Sequence, residues 1–156
     1  MKIAVVGNRD YKNPDFVFEY LDALYSIFRH CKEFIIVSGE APNKKGTDGS
    51  GNVDQLAKKW AKMMGSLYGN VGYIPFPPKA YTDEEFKKRN KQIAEEVNFT
   101  SAFINRGQYH SGTWNTINWL TKKAQFNSFV IFNEYKQEWS TEIYPKWLKQ
   151  RIGLYE

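Results

Sequence analysis

Five short apolar runs, none alternating with polar residues, are spaced along the chain at 2–6 (KIAVV), 34–37 (FIIV), 71–76 (VGYIPF), 101–104 (SAFI) and 128–132 (SFVIF). A strand without alternation is buried on both faces, the condition of a parallel sheet covered by helices. Helical spacing fills the gaps. Phe16, Tyr20, Leu24 and Ile27 or Phe28 share a stripe over 15–29, and Val53, Leu56, Ala57, Trp60, Ala61 and Met64 share another. Thr82-Asp83-Glu84-Glu85 reads as a capping box, Thr82 and Glu85 each serving an orphan amide. The helix it opens carries Phe86, Asn90, Ile93, Ala94 and Val97 on one face, and a further helix is expected from Thr113 to Lys123. This alternation predicts an α/β fold: a doubly wound parallel sheet of about five strands, helices on both faces, with right-handed crossovers.

A length of 156 residues suits a single domain, 1–156, able to bury a core without staples. Within it, 134–156 forms an aromatic-rich extension, with Trp139, Tyr144 and Trp147, expected to fold as a flap over the core; Pro145 is placed to open a short helix there. The single Cys31 excludes an intramolecular disulfide and suits a reducing compartment. No run approaches the ~20 apolar residues of a membrane span, and the N-terminus does not read as a signal peptide. A cytoplasmic protein without a membrane partner is therefore expected. Two histidines and one cysteine argue against a Cys/His zinc site, so neither metal nor cofactor is expected. The net charge is +5, and only five of the 22 basic residues are arginines (9, 29, 89, 106, 151). Such a lysine-dominated excess reads first as solvated surface, and is also compatible with nucleic acid or an anionic small molecule.

In a doubly wound sheet, ligands bind beyond the carboxyl ends of the strands, where strand order reverses. The first run ends in Gly7-Asn8-Arg9, the second in Ser38-Gly39-Glu40, and the fourth in the loop Asn105-Arg106-Gly107-Gln108-Tyr109-His110-Ser111-Gly112 before Thr113. Glycine admits an anion close to backbone amides, and a following helix N-terminus adds partial positive charge. Arg9 and Arg106 lie in these loops, and Arg89 sits in the second turn of the helix after the third run. Each feature has an ordinary structural reading beside it. Gly7 suits any tight turn, Gly112-Thr113 a helix cap, Arg89 a snorkelling edge, and Asp54 the positive end of its helix.

The order of these motifs resembles the SLOG superfamily, which unites DNA-processing Smf-type proteins, Lonely Guy phosphoribohydrolases and nucleotide-sensor domains. A small bacterial branch runs GSRD, SGGARGxDxLAxxWA, a P-x-R-N-x-x-M/I-A helix and a GT-x-x-x-I helix. The counterparts here are Gly7-Asn8-Arg9-Asp10, Ser38-Gly39-Glu40-Ala41, Val53-Asp54-Gln55-Leu56-Ala57-Lys58-Lys59-Trp60-Ala61, Arg89-Asn90-Lys91-Gln92-Ile93-Ala94 and Gly112-Thr113-Trp114-Asn115-Thr116-Ile117. They run in order across about residues 2–132. The resemblance implies a Rossmann-like domain of the small, stand-alone, nucleotide-sensor type. Two departures stand out. The family's compact SGGARG turn is interrupted by Pro42–Asn52, a stretch too rich in Gly, Asn and Lys to be expected to pack. It reads either as a lid carrying Lys44-Lys45 over an anionic ligand or as a surface loop. The hydrolases' catalytic glutamate falls on Thr116, which cannot stabilise an oxocarbenium-like sugar.

The expected function is binding of a nucleotide-derived molecule (ADP-ribose-like, cyclic or phosphoribosyl), to sense or sequester it. Arg9, Arg106 and the amides of Gly39, Gly112 and Thr113 would take phosphate; Asn8, Glu40 or Asp54 would take ribose hydroxyls. Gly7, Ser38, Arg89 and Ser111 complete the expected site. A stand-alone domain of this kind would sequester its ligand or report through a partner or a homo-oligomer, and the resemblance extends to small phage-encoded domains. One alternative is a nucleoside-monophosphate phosphoribohydrolase using Arg89 and Glu40. The other is single-stranded DNA binding, with Tyr11, Tyr109 and Trp114 stacking on bases.

Overall fold

Burial on both faces is what the apolar runs at 2–6, 34–37 and 101–104 receive, while the run at 71–76 is only partly covered. In a computed structural model of the chain, describing residues 1–105, residue 119 and the backbone of 126–133 and 138–144, they become neighbours in one six-stranded sheet. β1 (Lys2–Gly7) lies inside, between β2 (Phe34–Ser38) and β4 (Phe99–Asn105). β3 (Val71–Pro75) closes one side, and β5 (Phe126–Asn133) and β6 (Glu138–Tyr144) the other, giving the order β3-β2-β1-β4-β5-β6. The contacts from β3 through β5 are parallel. β6 returns antiparallel on β5, from Asn127 opposite Tyr144 to Asn133 opposite Glu138.

Residue parity divides the core. Ile3 and Val5 of β1, Phe34 and Ile36 of β2, and Phe99 and Phe103 of β4 face α1 (Pro14–Phe28) and α2 (Val53–Leu67). Ala4 and Val6, Val37, and Ala102 and Ile104 face α3 (Asp83–Glu96), which contributes Ile93 and Ala94. Trp60 of α2 is fully buried, and its indole N–H donates to Asp22 of α1 at 2.9 Å, so the largest core side chain keeps its polar atom satisfied. The doubly wound Rossmann-like α/β fold is therefore present. Strand order reverses at the β1–β4 boundary, the place where open α/β sheets in general take their ligands.

Several expectations change in detail. The sheet has six strands rather than about five, because part of the aromatic extension pairs as β6. A flap reading missed it: an edge strand paired on one side needs no long apolar run. Phe86 is half-buried rather than a core residue of α3. Thr82 caps α3 by accepting from the Glu85 amide at 3.3 Å, while the Glu85 carboxylate meets Lys88, also at 3.3 Å. Trp119 is helical; the rest of the helix expected over 113–123, and the one expected at Pro145, lie outside the described residues.

Candidate functional site

Gly7 ends β1 where three elements meet. A Cβ there would overlap the Phe103 carbonyl of β4 and lie 2.7 Å from Val53 Cγ2 at the start of α2. Its glycine is thus demanded by packing of the switch point. Asn8, buried, fastens the same junction: its amide donates to the Phe103 carbonyl at 3.1 Å, its carbonyl accepts from the Val53 amide at 3.1 Å, and Oδ1 accepts from the Asn105 amide at 2.7 Å. Asn105, at the end of β4, returns the brace. Its Nδ2 donates to the Asp10 carbonyl at 2.9 Å and its Oδ1 accepts from the Lys12 amide at 3.0 Å. Two asparagines thus clamp the β1–α1 loop and leave Arg9 exposed on it.

The β2 end is built around Gly39. Ser38 Oγ donates to the Asp54 carbonyl at 3.0 Å, tying β2 to the first turn of α2. Arg89 reaches from α3 across the strand end. Its Nη1 donates to the Gly39 carbonyl at 2.6 Å, its Nε to Asn90 Oδ1 at 3.0 Å, and its Cζ lies 5.3 Å from the centre of the Phe86 ring. A Cβ on Gly39 would stand 2.7 Å from Cζ of Arg89 and 3.2 Å from Asp54 Oδ2, so glycine here makes room for a guanidinium. Asp54 is buried beside it and accepts the Ala41 amide at 3.0 Å through Oδ2. Glu40 turns outward with φ +48°, in the left-handed region that favours glycine. Its Oε1 receives Lys58 Nζ at 2.8 Å and the Tyr73 hydroxyl at 3.1 Å.

The Pro42–Asn52 stretch is more closely held than its composition implied. Lys44 pairs with Asp10 at 2.8 Å, the Tyr11 amide donates to the Gly51 carbonyl at 2.9 Å, and buried Asn52 donates to Ala41 O and Asn43 Oδ1 at 2.9 and 3.1 Å. Gly46 and Gly49 take positive φ (81° and 78°), and a Cβ on Gly51 would lie 2.6 Å from the Tyr11 carbonyl. The glycines shape a folded loop seated on the β1–α1 loop. Tyr11 itself is buried, its ring edge-on to Phe103 at 5.7 Å. This corrects its reading as a base-stacking residue, because its ring is spent on the core.

The electrostatics of this edge are uneven. Burial pushes the Asp54 carboxyl up, against the opposing effect of the Ala41 amide, Arg89 and Arg9. Lys58, then Tyr73, hold Glu40 below its ordinary range despite partial burial. Burial draws Arg89 down, and Asp54 partly offsets this. Among the described residues, neither Arg9 nor Arg89 has an ion pair, whereas Glu40 is paired and Asp54 is biased toward its neutral form. The edge can therefore receive an anion, with carboxyl oxygens nearby for hydroxyl groups.

The structure brings together Ser38, Gly39, Glu40, Asp54 and Arg89, with Gly7, Asn8 and Arg9 on the adjoining loop. It gives Gly7, Asn8 and Ser38 bracing contacts that account for them without a ligand. Arg106, Ser111, Gly112 and Thr113, with Thr116, Tyr109 and Trp114, lie outside the described residues. Sequence reasoning passed over Asn105, Lys58 and Tyr73; Asn105 was legible as the polar residue ending an apolar run beside the switch point. Among the described residues no group of three His, Cys, Asp or Glu side chains is placed to hold a metal ion, and no helix is long and apolar enough to cross a membrane. No family model, curated protein or solved structure matches the chain.

Proposed function

We propose that this chain is a SLOG-like domain that binds a nucleotide-derived small molecule at the carboxyl ends of β1, β2 and β4, to sense or sequester it. The observation that carries the reading is the charge balance of that edge. Two arginines without ion pairs among the described residues, Arg9 and Arg89, act on a carboxyl that burial biases toward neutrality, on the carboxyl edge of β1 and β2 beside the point where strand order reverses. Phosphate would lie against Arg9 and the strand-end amides, with Arg106, Ser111, Gly112 and Thr113 contributed from the loop after β4. Ribose hydroxyls would meet Glu40 and Asp54. Glu40 supports the likeness in one further way: it takes a glycine-like φ at the position where the SLOG pattern carries its second glycine. Titration calorimetry with ADP-ribose, cyclic mono- and dinucleotides and phosphoribosyl compounds tests the reading. Saturable binding of one class is expected, and silence for all of them rejects it.

A second reading, hydrolysis of a nucleoside monophosphate to base and ribose phosphate, is favoured by one feature. Glu40 is an ionised carboxylate held in a strained backbone conformation at the ligand edge. It would stabilise the cationic sugar in place of the absent glutamate at Thr116, with Arg89 holding the phosphate. Chromatography of incubated nucleotides distinguishes the readings. Time-dependent release of free base, lost in Glu40→Ala and Arg89→Ala, would establish the enzyme.

A further inference from the structure

Tyr81, the residue before the α3 cap, is 73 % exposed, the largest exposure among the large apolar side chains described. A solvated ring of this size is not isolated here. It lies against Phe86 with centroids 6.2 Å apart and planes tilted by 30°, and Phe86 in turn lies under the Arg89 guanidinium at 5.3 Å. The same guanidinium donates to the Gly39 carbonyl at 2.6 Å. Ring, ring and cation thus form a ladder from solvent to the strand edge, with Arg89 shared between ladder and candidate site. A small depression beside it is lined by Pro77, Pro78, Lys79 and Arg89. Lys88, on the same wall, is already engaged by Glu84 and Glu85. Neither contact covers Tyr81, so most of its ring stays open to solvent within two contacts of the Arg89 guanidinium.

We propose that Tyr81 is the platform on which the nucleobase of the bound ligand stacks, its phosphate lying toward Arg89 and the β1–β2 strand ends. The inference rests on the nucleotide-binding reading of that edge and adds the chemistry the arginines alone do not supply. Guanidinium groups recognise phosphate whatever is attached to it, whereas an aromatic plane recognises the base. Stacking on one ring is tolerant of base identity, since every base has a π-face, so the platform selects nucleotides over sugar phosphates without choosing strongly among bases.

Calorimetry with AMP, GMP, CMP and UMP, set against ribose 5-phosphate, separates the two ideas. The wild-type chain is expected to bind at least one nucleotide about tenfold or more tightly than ribose 5-phosphate, in line with the worth of one base–aromatic stack. Tyr81→Ala should remove that advantage and leave ribose 5-phosphate binding unchanged, while Tyr81→Trp should keep it. Since Tyr81 is exposed and its one ring contact among the described residues is with Phe86, Tyr81→Ala should keep the fold and lower the melting temperature by no more than about a few degrees, which calorimetric melting checks. Nucleotides binding no better than ribose 5-phosphate, or an advantage that survives Tyr81→Ala, overturns the platform and leaves the anion site standing. No binding of any of the five overturns the platform, and the anion site falls with it only if ADP-ribose and the cyclic nucleotides are silent as well. An oligothymidylate bound more tightly than every mononucleotide would assign the platform to single-stranded nucleic acid and overturn the proposal.

Discussion

Single residues at the strand edge divide into those that build it and those that face outward, and substitutions should separate the two. Arg9 is exposed and has no ion pair among the described residues, and its charge reaches the fold only as a lesser, distant effect on Asp54. Arg9→Ala is expected to weaken nucleotide binding by about 1.5–3 kcal/mol, the usual worth of a charged hydrogen bond, with the ligand-free melting temperature unchanged. Calorimetric titration paired with thermal melting checks this; loss of fold with affinity retained would make Arg9 structural. Gly39 is the opposite case. An alanine Cβ would meet the Arg89 guanidinium, which can move only by giving up the Gly39 carbonyl and its seat over Phe86. Gly39→Ala should therefore cost about 1–3 kcal/mol of stability, the worth of a hydrogen bond made by a charged group. In an Arg89→Ala background the same change should cost much less, because the obstacle is gone. Urea unfolding of the four chains of this cycle measures the coupling, and additive effects would show that the guanidinium is not what excludes a side chain at position 39.

At the scale of elements, the loop over 42–52 shows what the sequence disclosed and what it withheld. Helices were legible because burial of one face imposes a period, and the runs at 2–6 and 34–37 were legible as inner strands because burial of both faces removes it. The loop has no period. Its glycines read as looseness, yet Gly49 and Gly51 are there for a positive φ and for close approach to Tyr11, requirements invisible until the β1–α1 loop is in place. Asn52 is the keystone: buried, capping α2 through the Gln55 amide at 3.4 Å and donating to both Ala41 and Asn43. The edge was similarly half legible. Arg9, Gly39 and Glu40 stood out as charged residues or glycines at strand ends and Asp54 as an acid in the first turn of α2, whereas the partnership of Arg89 with Gly39 spans 50 positions and needed the fold to appear. A packed loop makes a definite prediction. Asn52→Ala should destabilise the protein by about 2 kcal/mol or more, losing a cap and leaving buried groups unpaired. Lys44→Ala, which removes an exposed ion pair with Asp10, should cost under about 1 kcal/mol. Equal, small effects in chemical denaturation would mean that the loop is held by its surface pair alone.

For the whole molecule, the two carboxyls of the strand edge should leave opposite marks on stability as pH changes. Glu40 is held low in the folded chain, so its contribution is present above the unfolded glutamate value of about 4.3 and fades as pH falls through its folded value. Asp54 is pushed up by burial, so the folded chain keeps a proton there that the unfolded chain has already released. Its contribution is full below the unfolded aspartate value of about 3.9 and is lost as pH climbs from there through the raised folded value. Above that point the fold carries a buried carboxylate served by the Ala41 amide and by the more distant charges of Arg89 and Arg9. Asp54→Asn keeps a side-chain oxygen for the Ala41 amide and removes the titration. The stability of this variant relative to the natural chain should therefore rise steadily from about pH 4 upward until Asp54 has ionised, then level off. Urea midpoints of both chains at half-unit pH intervals would record the difference. A difference that stays flat across the window would mean that Asp54 is ionised in the fold as readily as in the unfolded chain. The edge would then carry a full negative charge beside Arg89, leaving much less room for an anion.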